Sequence, residues 1–137
     1  MYRSILVATD DSPPAKLAID RAITIADRFD ASLHVLYVID QRLGRTTATK
    51  DPYKRIGTEA LHTAEQDATE RDVRTTTSLV EGDPEDAILE YAADHGVDLI
   101  VLGGKSKSTA ERFFIGTTAE KVVRHAGVST LVVREDD

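Results

Sequence analysis

The 137-residue chain contains no cysteine. That excludes disulfides, Cys-ligated zinc, iron–sulfur clusters and thiol catalysis. No apolar stretch approaches the ~18 residues that a membrane-spanning helix needs. Positive charge is short as well: 24 acidic against 17 basic side chains leave a net charge of −7. A general nucleic-acid binder would show a basic face, so neither nucleic acid nor membrane is expected as a partner. A bound anion stays compatible, because backbone N–H groups hold phosphates without net positive charge. The four histidines, His34, His62, His95 and His125, are dispersed without metal-ligand spacing. A nucleophile elbow, a metalloprotease motif and paired catalytic carboxylates are all missing. The residues therefore do not point to an enzyme.

What is present is alternation. Short apolar runs at Ile5–Ala8, Leu33–Ile39, Leu99–Leu102 and Leu131–Val133 suit strands covered on both faces, as in a parallel sheet. Thr75–Val80 is more polar and reads as an edge strand. Amphipathic helical patterns lie between these runs. Ala18, Ala22, Ile25, Ala26 and Phe29 share one face, with Ser12-Pro13 as cap and first-turn proline. Ala60, Leu61, Ala64 and Ala68 form a weaker stripe. Ala87, Ile88, Tyr91 and Ala92 form a third, started by Asp83-Pro84 and stopped near Gly96. Ala119, Val122, Val123 and Ala126 form the last, stopped by Gly127. The pattern predicts an α/β fold of five strands and four helices with right-handed crossovers. The length suits one domain over residues 1–137 with a core that needs no staple. The apolar start, without a leader pattern, gives the expectation of a cytoplasmic protein.

Two segments escape the alternation. Asp40–Pro52 is polar and reads as a loop; Gly104–Ile115 is too long for an ordinary connection. In doubly wound sheets, ligands sit beyond the carboxyl ends of strands where the strand order reverses. Ala8-Thr9-Asp10-Asp11-Ser12 and the stretch from Gly103 to Thr118 should meet there. Gly103 and Gly104 allow close backbone approach, and Gly116-Thr117-Thr118 opens a helix whose first N–H groups lack intrahelical partners. Gly104-Lys105-Ser106 imitates the end of a P-loop, but Leu99 stands where that motif needs a glycine. Asp10-Asp11 could belong to a phospho-receiver domain. That reading needs a phosphorylatable Asp after the third strand, where Asp83 is better explained as a cap, and a Lys after the fifth, where Arg134 stands.

The stretch after the fourth strand resembles the universal stress protein family. Its ATP-binding members carry glycine, two residues, glycine, nine residues, then glycine followed by Ser or Thr. Gly103 matches the first glycine and Gly116-Thr117 the last pair, while Ser106 replaces the middle glycine. The resemblance extends through Ile5–Ser12, Leu36–Asp40, Gly82-Asp83-Pro84, Asp98–Gly103 and Leu131–Arg134. It implies a Rossmann-like five-stranded parallel sheet of order 3-2-1-4-5 with helices on both faces, in a small stress-response protein that binds ATP. Carried onto matching positions, it implies that Ala8, Thr9 and Asp10 contact the adenosine, with Asp10 near the ribose. Val38 would line the adenine pocket through its backbone, and Leu102 and Gly103 would flank the nucleoside. Gly116, Thr117 and Thr118 would hold phosphates, with Ser106 as a further phosphate position, and Mg or Mn as the accompanying ion. Slow ATP hydrolysis is the most chemistry expected. Some family members act as interaction modules without nucleotide, which is the rival reading.

The implied strand order leaves the fifth strand at an open edge. Thr130-Leu131-Val132-Val133 is apolar and carries no edge-protecting Lys or Pro. A homodimer through that strand is expected.

Overall fold

The computed structural model describes residues 1–42, 47–105 and 116–135. Its elements are β1 (Ser4–Thr9), α1 (Pro13–Phe29), β2 (Ser32–Asp40), α2 (Thr47–Glu70), β3 (Thr75–Gly82), α3 (Pro84–Asp94), β4 (Leu99–Gly103), α4 (Thr117–His125) and β5 (Ser129–Val133). The strands form one sheet in the order β3-β2-β1-β4-β5, and every pairing is parallel. This is the order the resemblance implies.

Strand alternation divides the core in two. Ile5, Val7, Leu33, Val35, Tyr37, Leu99 and Val101 face one side, where α1 and α2 cover them. Leu6, Leu36, Ile100 and Leu102 face the other, under α3 and α4. Because both faces are covered, the central strands read as continuous apolar runs. At the amino end of the sheet, the Asp98 carboxylate accepts hydrogen bonds from the backbone N–H groups of Arg3 (2.9 Å) and Ser4 (3.2 Å). It ties the start of β4 to that of β1.

The structure corrects several local expectations. The buried face of α1 includes Ala15, Ile19 and Ile23, whereas Phe29 is 44% exposed. Phe29 lies in the last turn, beyond the sheet's reach, and packs edge-on against Tyr2. On α4, Val123 is exposed rather than buried. Asp40–Pro52 is not all loop, because α2 begins at Thr47 and contains Pro52. Polarity alone does not distinguish a loop from the exposed start of a helix, and proline is tolerated in a helix's early turns.

A polar contact crosses from β2 to α3. His34 Nδ1 and the Tyr91 hydroxyl are 2.7 Å apart, and the His95 ring stacks on Tyr91 at 3.8 Å. Burial, followed by the neighbouring His95, pushes the His34 imidazole below its ordinary pKa.

Candidate functional site

The turn after β1 is held by its own side chains. Thr9 is buried at the strand end, and its Oγ1 accepts a hydrogen bond from Asp11 N–H at 3.1 Å. Asp10 Oδ1 accepts from Ser12 N–H at 3.0 Å. Asp11 adopts a left-handed φ of 67°, a region that Asp tolerates better than most residues. Ser12 then caps α1, its Oγ accepting from Ala15 N–H at 3.4 Å, and a proline occupies the first turn. The chain leaves β1, reverses over Asp10, Asp11 and Ser12, and starts a helix without leaving these donors unpaired.

Beside it, β4 ends at Gly103. A Cβ there would fall 2.6 Å from both Ala15 N and Pro14 C. The close approach that Gly103 permits is therefore to the first turn of α1. Gly104 N–H continues to the Val133 carbonyl of β5 at 2.8 Å. The chain returns at Gly116, the N-cap of α4, with φ 89° and ψ 151°. That region is essentially confined to glycine. As a glycine, Gly116 has no side chain to cap this helix start, and no cap from another side chain is seen among the described residues.

A cavity of about 340 Å³ opens at the carboxyl ends of the strands. Of the residues singled out in the sequence, Ala8, Thr9, Asp10, Val38, Leu102, Gly103 and Thr118 line it. Gly116 and Thr117 precede Thr118 at the start of α4 but do not form the wall. Ser106 lies outside the described residues.

The remaining wall was not foreseen. Ala15, Pro84, Ile88 and Ala119 bring apolar surface from three helices, and Asp40 brings a second carboxylate. Arg42 grips Asp40 through Nε (3.0 Å) and Nη2 (2.6 Å), and its own backbone N–H adds a bond at 2.9 Å. The guanidinium holds the Asp40 carboxyl below its usual range. Tyr37 and Tyr53 complete the lining. Burial raises the Tyr37 phenol, and the nearby Asp10 and Asp11 carboxylates and Tyr53 push in the same direction. A signal for Tyr53 did exist: the stripe Ala60, Ala64, Ala68 continues backward at helical spacing through Gly57 to Tyr53.

Among the described residues, Asp83, Glu85 and Asp86 are close enough together to share a cation. Two of them have other partners. Asp83 caps α3 by accepting from Asp86 N–H at 3.1 Å, and Glu85 contacts His125. Capping is the role expected for Asp83, and it removes the support for a receiver domain.

Comparison with known proteins agrees with this architecture. Residues 1–134 match the universal stress protein family. A universal stress protein of Methanocaldococcus jannaschii is 34% identical over 98% of this chain and 84% of its own length. Among solved structures, a universal stress protein of Lactobacillus plantarum superposes with a TM-score of 0.82 at 31% identity. That match covers 97% of this chain and 98% of the other. Another universal stress protein, solved in complex with cAMP, superposes with a TM-score of 0.75 at 27% identity, covering 97% of each chain. With the sheet order and the match over nearly every residue in agreement, the chain belongs to the universal stress protein family.

Proposed function

We propose that this protein binds an adenine nucleotide, ATP by preference, in the cavity at the carboxyl ends of β1 and β4, as a cytoplasmic stress-response or regulatory protein. The observation that carries the reading is the start of α4, entered through a glycine-only conformation at Gly116 with no side-chain cap among the described residues, beside a cavity of about 340 Å³. Its first N–H groups, which have no intrahelical partners, and its positive dipole end suit a phosphate. The cavity's size and mixed lining suit a small molecule with an apolar ring and a polar tail. The cAMP complex of a relative at 27% identity supports the same ligand class.

In this reading Ala8, Thr9, Leu102 and Gly103 flank the nucleoside, and the Val38 backbone meets the adenine. Asp10 accepts from ribose hydroxyls. Gly116, Thr117, Thr118 and Ser106 hold the phosphates, with Mg or Mn accompanying a triphosphate. The residues bind and orient, and at most slow hydrolysis follows. Mass spectrometry of ligand released from purified, denatured protein, with calorimetry against MgATP, ADP and AMP, tests this. Saturable binding at micromolar to millimolar concentration is expected. The rival reading, a nucleotide-free interaction module, replaces this one if none of the three binds.

We also propose a homodimer through β5. This strand pairs with β4 alone in the sheet, and Leu131, Val128 and Val123 are exposed around it. A two-fold axis would pair the edge with itself. Light scattering should give about twice the chain mass, and Val132→Pro, which removes a ladder donor, should shift it toward monomer. A wild type that stays monomeric at high micromolar concentration refutes the dimer.

A further inference from the structure

No residue that the family resemblance names lies on α2, yet α2 reaches the cavity. Among the described residues it does so through one side chain, Tyr53. The ring is half-buried and packs against the core on the α1 and α2 face. One turn later, Gly57 is buried against the sheet. A Cβ on Gly57 would fall 2.6 Å from Tyr37 Cδ1 and 2.8 Å from Leu79 Cδ1. The helix backbone is thus seated directly on the side chains of Tyr37 of β2 and Leu79 of β3, which would have to shift to admit a Cβ. Tyr37 is itself part of the cavity wall. The two tyrosines therefore link the cavity to α2 by two routes, one carried on the helix and one clamped beneath it.

We propose that Tyr53 is a ligand-binding residue whose ring closes the α2 side of the cavity over a bound adenine nucleotide, so that occupancy of the cavity tightens the seating of α2. The inference rests on the nucleotide reading above. An aromatic ring offers a large, rigid face with little rotamer freedom to lose, and such a face is worth about a tenfold change in affinity. The other helices present Ala15, Pro84, Ile88, Thr118 and Ala119, so Tyr53 supplies the one helix-borne aromatic surface in the described wall. Because the ring is anchored one turn from the Gly57 contact, a ligand that holds the ring also resists separation of α2 from β2 and β3.

The test compares wild type with Tyr53→Phe, Tyr53→Leu and Tyr53→Ala. Calorimetry with ATP, ADP and AMP gives affinity, and hydrogen exchange at saturating nucleotide gives the protection of α2. Tyr53→Phe should bind within about twofold of wild type, while Tyr53→Leu and Tyr53→Ala should lose about tenfold. Tyr53→Leu keeps apolar bulk against the core, so its folded state serves if the alanine variant unfolds. Nucleotide should slow exchange in α2 of wild type and Tyr53→Phe, and not in Tyr53→Leu at equal occupancy. Wild-type affinity in Tyr53→Leu, a Phe variant as weak as the Leu variant, or binding without added α2 protection would each overturn the inference while leaving the nucleotide reading intact. A wild type that binds none of the three nucleotides overturns both.

Discussion

Two helices begin at the same end of the sheet, and they begin in opposite ways. The start of α1 is closed: Thr9, Asp10 and Ser12 each give a side-chain oxygen to a nearby backbone N–H, and a proline fills the first turn. The start of α4 differs: Gly116 has no side chain to offer, and no side chain among the described residues caps the helix. Both helices carry unpaired N–H groups by geometry. Among the described residues, only α1 of the two shows a side-chain cap. The capped end is a piece of scaffold that aims Asp10 and shapes one cavity wall. A glycine at each border enforces the contrast for a different reason, Gly103 through contact with α1 and Gly116 through its φ.

The largest effect should come from Gly103→Ala. Its new methyl would meet backbone at 2.6 Å rather than a flexible side chain, so α1 must back away from β4. Denaturant unfolding should show a loss of roughly 2–3 kcal/mol. A neutral result would mean that the scaffold end is as adaptable as the start of α4. Next is Gly116→Val, which places a β-branched residue at φ 89°. Nucleotide affinity measured by calorimetry should fall at least about tenfold, with helix content near wild type by circular dichroism. Retained affinity would remove α4 from the site. The smallest is Ser12→Ala, which deletes the α1 cap and should cost about 1 kcal/mol of stability. Affinity should stay within about twofold, since the cap serves the helix rather than the ligand. A larger loss would show that both helix starts bind.

The fold was legible because burial on both faces leaves its signature in the chain: apolar runs for β1, β2 and β4, with capped helices between them. The order of the strands was not legible from periodicity. It came from matching turns such as Gly82-Asp83-Pro84 and the Gly103…Gly116 spacing. At the site, residues on strand ends and adjoining turns were readable, since topology alone brings Thr9 and Leu102 together. Side chains that reach the cavity from helices were not. Pro84 looked like a helix starter and Ile88 like core, and both descriptions remain true while they also form wall. Phe29 was misassigned to the core because periodicity gives a face but not where the sheet beneath it stops. Gly103 shows a further limit: the need for glycine was visible, and the neighbour that imposes it, Pro14-Ala15, was 88 residues away and invisible.

The central position of β1 has a consequence for how the chain is made. The strand needs partners on both sides, β2 on one and β4 on the other. The first arrives soon in synthesis, but the second does not, as the bond from Ser4 N–H to Asp98 spans 94 residues. A nascent chain that has formed β1, α1, β2, α2 and β3 still presents one whole edge of the apolar strand β1. Distant pairings of this kind form late, and a bare apolar edge invites pairing with other chains. The interval before β4 emerges is therefore when the growing polypeptide is most exposed to association with its neighbours on the same message.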